Sequence, residues 1–184
     1  ILRRGYEQPP SPRDGVARTR WVVVRNTYPE LRTTTMRTWH AITPISKGIW
    51  QDQGPPRHLL SFVHVPDGHK VEIEVIFLAL DSPKDIAHVL SLEITGAWVN
   101  ESREIRKAVI DALTGRVGRF PPMLDGGPSW AGLIMDTNAP DQDHWWYTLA
   151  EKDASTALGA QLLSSVSQAE ISLRAQGVLR EDQP

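Results

Sequence analysis

Cysteine is absent from the 184 residues, which excludes disulfides, Cys-ligated zinc and thiol nucleophiles and suits a reducing compartment. No apolar run approaches the roughly 18 residues that a membrane-crossing helix needs; the longest covers residues 75–80. Ile1-Leu2-Arg3-Arg4 has neither the apolar core nor the small-residue cleavage site of a signal peptide, and no initiator Met. The chain is therefore expected to be a piece of something longer. The six histidines (His40, His58, His64, His69, His88, His144) show no His-x-x-x-His spacing, so no zinc site is expected. A Gly-Lys dipeptide is also missing, and with it the Gly-rich loop ending in Gly-Lys-Ser/Thr whose amides cradle phosphates.

What is present is ordinary globular material, 40% hydrophobic and 23% charged, with no internal repeat. At about 100–200 residues per domain, the length accommodates one domain and a tail. The net charge of −2 hides an asymmetry: residues 1–40 carry eight Arg against Glu7, Asp14 and Glu30, and the rest of the chain is acidic. A basic end can contact polyanions, but a solvated surface is the simpler account and is the one expected from charge alone. The overall charge does not indicate a small basic DNA-binding module.

Along the chain, residues 5–19 read as a loop broken by Pro9, Pro10, Pro12, Gly5 and Gly15. Trp21 to Val24 is the kind of short apolar run that a fully buried parallel strand shows. A helix follows from Thr27, with Pro29 in its first turn and Leu31, Thr34, Thr35 and Trp39 on one face, and Pro44 stops it. His58 to Val65 and Lys70 to Leu80 read as two strands joined through Asp67-Gly68, a hairpin signal. Asp81-Ser82-Pro83 opens a helix striped by Ile86, Val89 and Leu90. A buried strand from Gly96, a helix through Ile105, Val109, Ile110 and Leu113 capped at Gly115, and a buried strand over 132–135 come next. Asp143 is placed to cap a short helix through Trp145, Trp146 and Leu149. Alternating strands and helices predict a mostly parallel sheet covered on both faces, with its ligand crevice beyond the carboxyl ends of the strands.

Three strands end in polar groups: Arg25-Asn26, Asn100-Glu101 and Asp136-Thr137-Asn138. Side by side, those ends form one crevice. An apolar strand ending in an acid pair is the metal-and-water corner of a phosphate-hydrolysing site, the first position holding Mg²⁺ and the next orienting water. Here the first position is Asn100, which can accept a hydrogen bond from a metal-bound water but carries no charge, while Glu101 can polarise water. A capping role at a strand-to-helix junction is the plain alternative for both.

Three strings carry a resemblance. Val22 to Thr35 (VVVRNTYPELRTTT), followed by Trp39, resembles the second-strand block of tailed-phage terminase large subunits. Thr95 to Ile105 (TGAWVNESREI) resembles the Walker B block of one branch of that family. Ile134 to Pro140 (IMDTNAP), followed by Asp143 to Tyr147 (DHWWY), resembles its coupling motif. The resemblance spans roughly residues 1–153 and stops at Ala154. It implies an additional-strand P-loop ATPase domain of the motor that packages double-stranded DNA into a procapsid, here without its phosphate-loop segment. ATP and Mg²⁺ are its implied cofactors. The portal protein and small terminase subunit, a homo-oligomeric ring, the host cell cytoplasm and no membrane follow from the same resemblance. A nuclease domain with a carboxylate metal cluster is implied downstream.

By the same resemblance, Glu101 matches the catalytic glutamate and Asn100 the Walker B metal position, acting through water. Thr137 and Asn138 match the coupling motif, and Arg25 ends the strand beside the nucleotide. Arg116 or Arg119 would serve as an arginine finger across a ring interface, with a surface role for both as the alternative. Residues 154–184, with Leu158, Leu162, Leu163, Val166 and Leu173, read as a helical or poorly ordered tail. Trp21, Trp39 and Trp98 fit core positions, whereas Trp145-Trp146 reads as an exposed pair able to stack on DNA. The competing reading of the whole is a non-catalytic α/β binding or assembly module that kept the sheet and lost nucleotide chemistry. A nuclease lacks support, because no three acids converge in the sequence.

Overall fold

Residues 1–80 and 83–152 are described by a computed structural model of the chain. Six runs become strands among the described residues: β1 Val16–Arg25, β2 Gly48–Gln51, β3 Arg57–Val63, β4 Lys70–Ala79, β5 Gly96–Val99 and β6 Gly132–Met135. They form one sheet in the order β2-β3-β4-β1-β5-β6. β4, β1, β5 and β6 run parallel, and β2 and β3 extend the sheet as antiparallel strands. The mostly parallel α/β sheet expected from the alternation is therefore present, with a hairpin extension on the β4 side.

β1 lies inside the sheet, and Trp21, Val22, Val23 and Val24 are fully buried on alternating faces. That is why its sequence is continuously apolar rather than alternating. One face packs Trp21 and Val23 with Leu31, Met36, Trp39, Val75 and Phe77. The loop expected over 5–19 is shorter than that, because β1 already begins at Val16 and a helix, α1 Leu2–Glu7, takes up its first residues. The first half of β1 alternates, with Arg18 pairing to Glu72 at 3.1 Å and Arg20 to Glu74 at 2.5 Å across the β4 neighbour. Cross-strand ion pairs of that kind leave no apolar run to read.

After β1 the chain turns into α2 Tyr28–Glu30. Thr27 caps it: its hydroxyl accepts from the Glu30 amide and donates to the Glu30 carboxylate at 2.9 Å, with Pro29 in the first turn. A π-helical turn, Leu31–Thr35, then leads into α3 Met36–Ile42. The extra residue in that turn shifts the buried stripe to Leu31, Thr35, Met36 and Trp39 and leaves Thr34 exposed, contrary to the face expected from regular helical spacing.

α4 Pro83–Leu90 buries Val89 but exposes Leu90, which the stripe had placed inside. Its expected start at Asp81-Ser82 lies outside the described residues, and so does any side-chain role of Ile86. α5 Lys107–Thr114 buries Val109, Ile110 and Leu113, with Ile105 buried just ahead of it and Gly115 receiving the helix end. β6 is half-buried rather than buried, with Ile134 exposed, because only β5 pairs with it among the described strands.

Chain contacts divide the protein into two units, Ile1–Asn138 and one beginning at Ala139. The described part of the second holds α6 Trp145–Tyr147 and a π-helical turn, Thr148–Lys152. His144, not Asp143, caps α6, its Nδ1 accepting from the Trp146 amide at 3.2 Å. A ring nitrogen does the work of the expected carboxylate. Trp145 and Trp146 are half-buried and stack on each other. The tail expected over 154–184 lies outside the described residues. No helix among the described residues is long and apolar enough to cross a membrane.

Candidate functional site

Because β1, β5 and β6 are neighbours and parallel, their carboxyl ends open at the same edge of the sheet. The ladder bonds continue one step past the strands: the Asn100 amide donates to the Val24 carbonyl at 2.9 Å and the Asp136 amide to Val99 at 3.2 Å. All three polar ends expected to line a crevice, Arg25-Asn26, Asn100-Glu101 and Asp136-Thr137-Asn138, are brought together there.

Asp136 organises the junction. Its Oδ1 accepts from Asn100 Nδ2 at 2.7 Å and from the Glu101 amide at 2.9 Å, and its Oδ2 accepts from Trp98 Nε1 at 2.6 Å. The other end of the Asn100 amide, Oδ1, accepts from the Thr35 hydroxyl at 2.7 Å. Thr35, Asn100 and Asp136 thus form one chain of polar contacts from the π-helical turn to the end of β6. Asn100 lacks a charge of its own, but a carboxylate is bonded directly to it. The importance of Asp136 and Thr35 was not evident from the sequence. In the sequence Asp136 stands out only as one member of a polar strand end, and Thr35 only as one position on a helical face.

Glu101 has φ 52° and ψ 55°, the left-handed region, and it is the one non-glycine residue with positive φ among the described residues. Such a conformation costs a residue with a β-carbon about 1–2 kcal/mol and persists where the surroundings impose it. Here the imposing contacts are the Asp136 carboxylate on the Glu101 amide and the Ser102 amide on the Asp136 carbonyl at 2.8 Å. The side chain is held by Asn138 Nδ2 to Oε1 at 3.4 Å, while Oε2 is buried with no hydrogen-bond partner among the described residues. A dehydrated carboxylate oxygen among these polar strand ends has its full capacity to accept a hydrogen bond, for example from a water molecule.

Arg25 is 8% exposed at the end of β1. Its Nη2 lies 3.4 Å from Glu104 Oε2 and its Nε 3.8 Å from Glu30 Oε2, so two acids compensate its charge while Nε and Nη1 make no hydrogen bond. Thr137 Oγ1 accepts from the Arg103 amide at 3.4 Å. Arg116 and Arg119 lie elsewhere. The Ile94 amide donates to the Arg116 carbonyl and the Arg119 amide to the Ile94 carbonyl at 3.0 Å, which puts both at the amino end of β5, the opposite edge of the sheet.

No protein-family profile and no curated protein sequence matches the chain. Among solved structures, the large terminase of a thermophilic bacteriophage superposes with a TM-score of 0.55 at 11% identity, over 74% of this chain and 30% of that one. The fold is like that of part of a phage large terminase. Two structures of the large terminase ATPase domain of Thermus phage P74-26 align more loosely, with a TM-score of 0.37 at 17% and 15% identity, over 75% of this chain and 53% of theirs. The chain spans less than a third of the length of the thermophilic phage terminase. At such identities the terminase-like fold is what the likeness shows; the site must be argued from its own residues.

Proposed function

We propose that the crevice at the ends of β1, β5 and β6 is the water-activating corner of an ATP-hydrolysing motor that packages double-stranded viral DNA into procapsids, and that these residues are part of its ATPase domain. The observation that carries the reading is Glu101, held in a strained backbone conformation with one carboxylate oxygen free, in a terminase-like fold. In this reading Glu101 orients and polarises the attacking water, a role that acts mainly in the transition state. Asn100 meets a metal-bound water, and Asp136 supplies the negative charge that an aspartate in place of Asn100 would bring.

The donor set around Asn100 is a hydroxyl, an amide oxygen and a carboxylate, the oxygen chemistry that Mg²⁺ prefers, so the residues fit that ion. Mg²⁺ bound with nucleotide neutralises charge that develops on the phosphates. Arg25 is the cation nearest the nucleotide side, and breaking its pairing with Glu30 or Glu104 would free it for phosphate. Thr137 and Asn138 couple the state of Glu101 to movement through the Asn138 contact. Arg116 and Arg119, at the far edge of the sheet, are available to a neighbouring subunit of a ring, one of them as an arginine finger. The portal protein, the small terminase subunit and the host cell cytoplasm complete this reading. No loop ending in Gly-Lys-Ser/Thr occurs in these 184 residues, so in this reading the phosphates would have to be gripped by residues other than these.

A second reading, a non-catalytic α/β assembly module, is favoured by one feature: both ends of the Asn100 amide are already engaged within the fold. One experiment separates the two. In a chain where these residues follow a phosphate loop ending in Gly-Lys-Thr, Glu101→Gln is expected to lower turnover by roughly 10²-fold or more while nucleotide still binds. Asn100→Ala is expected to weaken Mg-nucleotide binding as well. A folded Glu101→Gln protein that hydrolyses ATP at the parent rate overturns the motor reading, and a folded parent that binds no nucleotide supports the module.

A further inference from the structure

The connection between β3 and β4 brings together two histidines and an acid that their sequence spacing did not bring to notice. The Gly68 amide donates to the His64 carbonyl and the His64 amide to the His69 carbonyl, both at 2.8 Å, so the connection closes on itself. Gly68 has φ +76°, a conformation glycine adopts without cost, and it is this turn that folds His69 back beside His64. The two imidazole rings end 4.8 Å apart, and the His64 ring also rests against Tyr6 at 5.7 Å.

Both rings aim Nδ1 at the same atom. His64 Nδ1 is 2.6 Å and His69 Nδ1 2.7 Å from Asp67 Oδ1, and the three prospective ligand atoms lie within 4.8 Å of one another. The His69 side chain is 12% exposed and that of His64 21%, while Asp67 is 58% exposed. Two rings are thus fixed by packing, and the carboxylate closes the cluster from the solvent side. We propose that His64, Asp67 and His69 bind one divalent transition-metal ion of the zinc class, through two imidazole nitrogens and one carboxylate oxygen.

The chemistry of the set decides the class. Two nitrogens and one oxygen match the three-ligand zinc sites that leave a fourth position to water. Imidazole suits zinc, nickel and copper, whereas Mg²⁺ and Ca²⁺ take oxygen ligands. Ligand atoms around a tetrahedral zinc stand about 3.3 Å apart, given bonds of about 2.0–2.1 Å. The two nitrogen–oxygen distances need to lengthen by only about 0.6–0.7 Å to reach that spacing, and Asp67, the most exposed member and on a turn, is the one free to move. The connection lies at the amino end of β4, the opposite edge of the sheet from Glu101, so the site is separate from the proposed ATPase crevice and does not depend on that reading.

The test uses the whole 184-residue chain, freed of metal with a chelator. Calorimetric titration with Zn²⁺ is expected to give one equivalent of saturable binding that excess Mg²⁺ does not displace. X-ray absorption at the zinc edge is expected to give a first shell of two imidazoles completed by oxygen. His64→Gln and His69→Gln are each expected to weaken binding by more than about tenfold, with His88→Gln unchanged. Zinc should raise the melting temperature of the parent and not of the His64→Gln or His69→Gln variants. Should those variants fail to fold by circular dichroism, the absorption spectrum of the parent decides. Absence of saturable zinc binding, a first shell without the imidazole pair, or full binding by a folded His64→Gln/His69→Gln double variant overturns the proposal.

Discussion

Glu101 sits in a backbone conformation that glycine would occupy more cheaply, and it leaves a carboxylate oxygen dehydrated. A residue kept at such a cost is a candidate for function rather than for stability. Glu101→Gly is therefore expected to raise the unfolding free energy by up to about 1 kcal/mol, read as a higher urea midpoint at unchanged slope, although it removes the carboxylate. A lower midpoint would show that the contacts of the side chain outweigh the strain. His58 is a titratable group inside the core. It is fully buried among Trp39, Trp50 and Phe77, and Trp39 Nε1 donates to its Nδ1 at 2.9 Å. Burial first, and the nearby His40 second, hold its pKa below the ordinary value of about 6.5. The folded state thus binds fewer protons than the unfolded state. The stability it contributes is full above about pH 6.5 and is lost as the pH falls below that value. Urea midpoints measured between pH 7.5 and 5 should decline in the parent, and the decline should be shallower in His58→Gln. Parallel slopes in the two proteins would remove His58 as the cause.

At the level of elements, the legible ones were those whose burial made their chemistry one-sided. The second half of β1, β4, β5 and α5 were readable because both faces of a strand or one stripe of a helix are buried, which leaves apolar runs or helical spacing. The first half of β1 was not, because its partners across the sheet are charges. α1 was hidden among the prolines and glycines that follow it. The π-helical turn at Leu31–Thr35 moved the buried stripe by one residue, an irregularity no periodicity announces. The three strand ends of the candidate site were legible as polar bursts, but the hub at Asp136 required the register of β5 against β6. That register depends on a close approach at Gly96. A β-carbon there would meet Trp130 Cζ3 at 2.5 Å, Trp21 Cζ3 at 2.7 Å and the Gly132 carbonyl at 3.0 Å. Two stacked indoles 5.3 Å apart and a backbone carbonyl leave little room to give. Gly96→Ala is expected to cost about 1–3 kcal/mol, seen as a drop in the thermal midpoint together with a change in Trp fluorescence. An unchanged midpoint would mean that the indoles shift freely and that the spacing of β5 does not rely on glycine.

Over the whole molecule, the basic excess of the first 40 residues is compensated in space. Arg18 and Arg20 meet Glu72 and Glu74, Arg25 meets Glu30 and Glu104, and Arg32 meets Asp52. The charge asymmetry of the sequence is thus largely an account of which strands and loops pair, and it does not by itself mark a DNA surface. Hydrolysis of ATP needs the β- and γ-phosphates held in line with the attacking water while their charge is neutralised. In the proposed reading Glu101 orients water, but Arg25, the buried cation at these strand ends among the described residues, is engaged by two acids, and no Gly-Lys loop occurs in the 184 residues. Positioned groups act on a reaction only when the reacting atoms are also positioned, so Glu101 by itself has nothing to act upon. The isolated chain is therefore expected to release phosphate from Mg-ATP at the rate of buffer alone, and Glu101→Gln is expected to leave that rate unchanged. Steady turnover by the folded parent, abolished in folded Glu101→Gln, would show instead that residues within this chain grip the phosphates. Arg25→Ala would then be the next variant to measure, because freeing Arg25 from Glu30 and Glu104 supplies a buried cation at these strand ends.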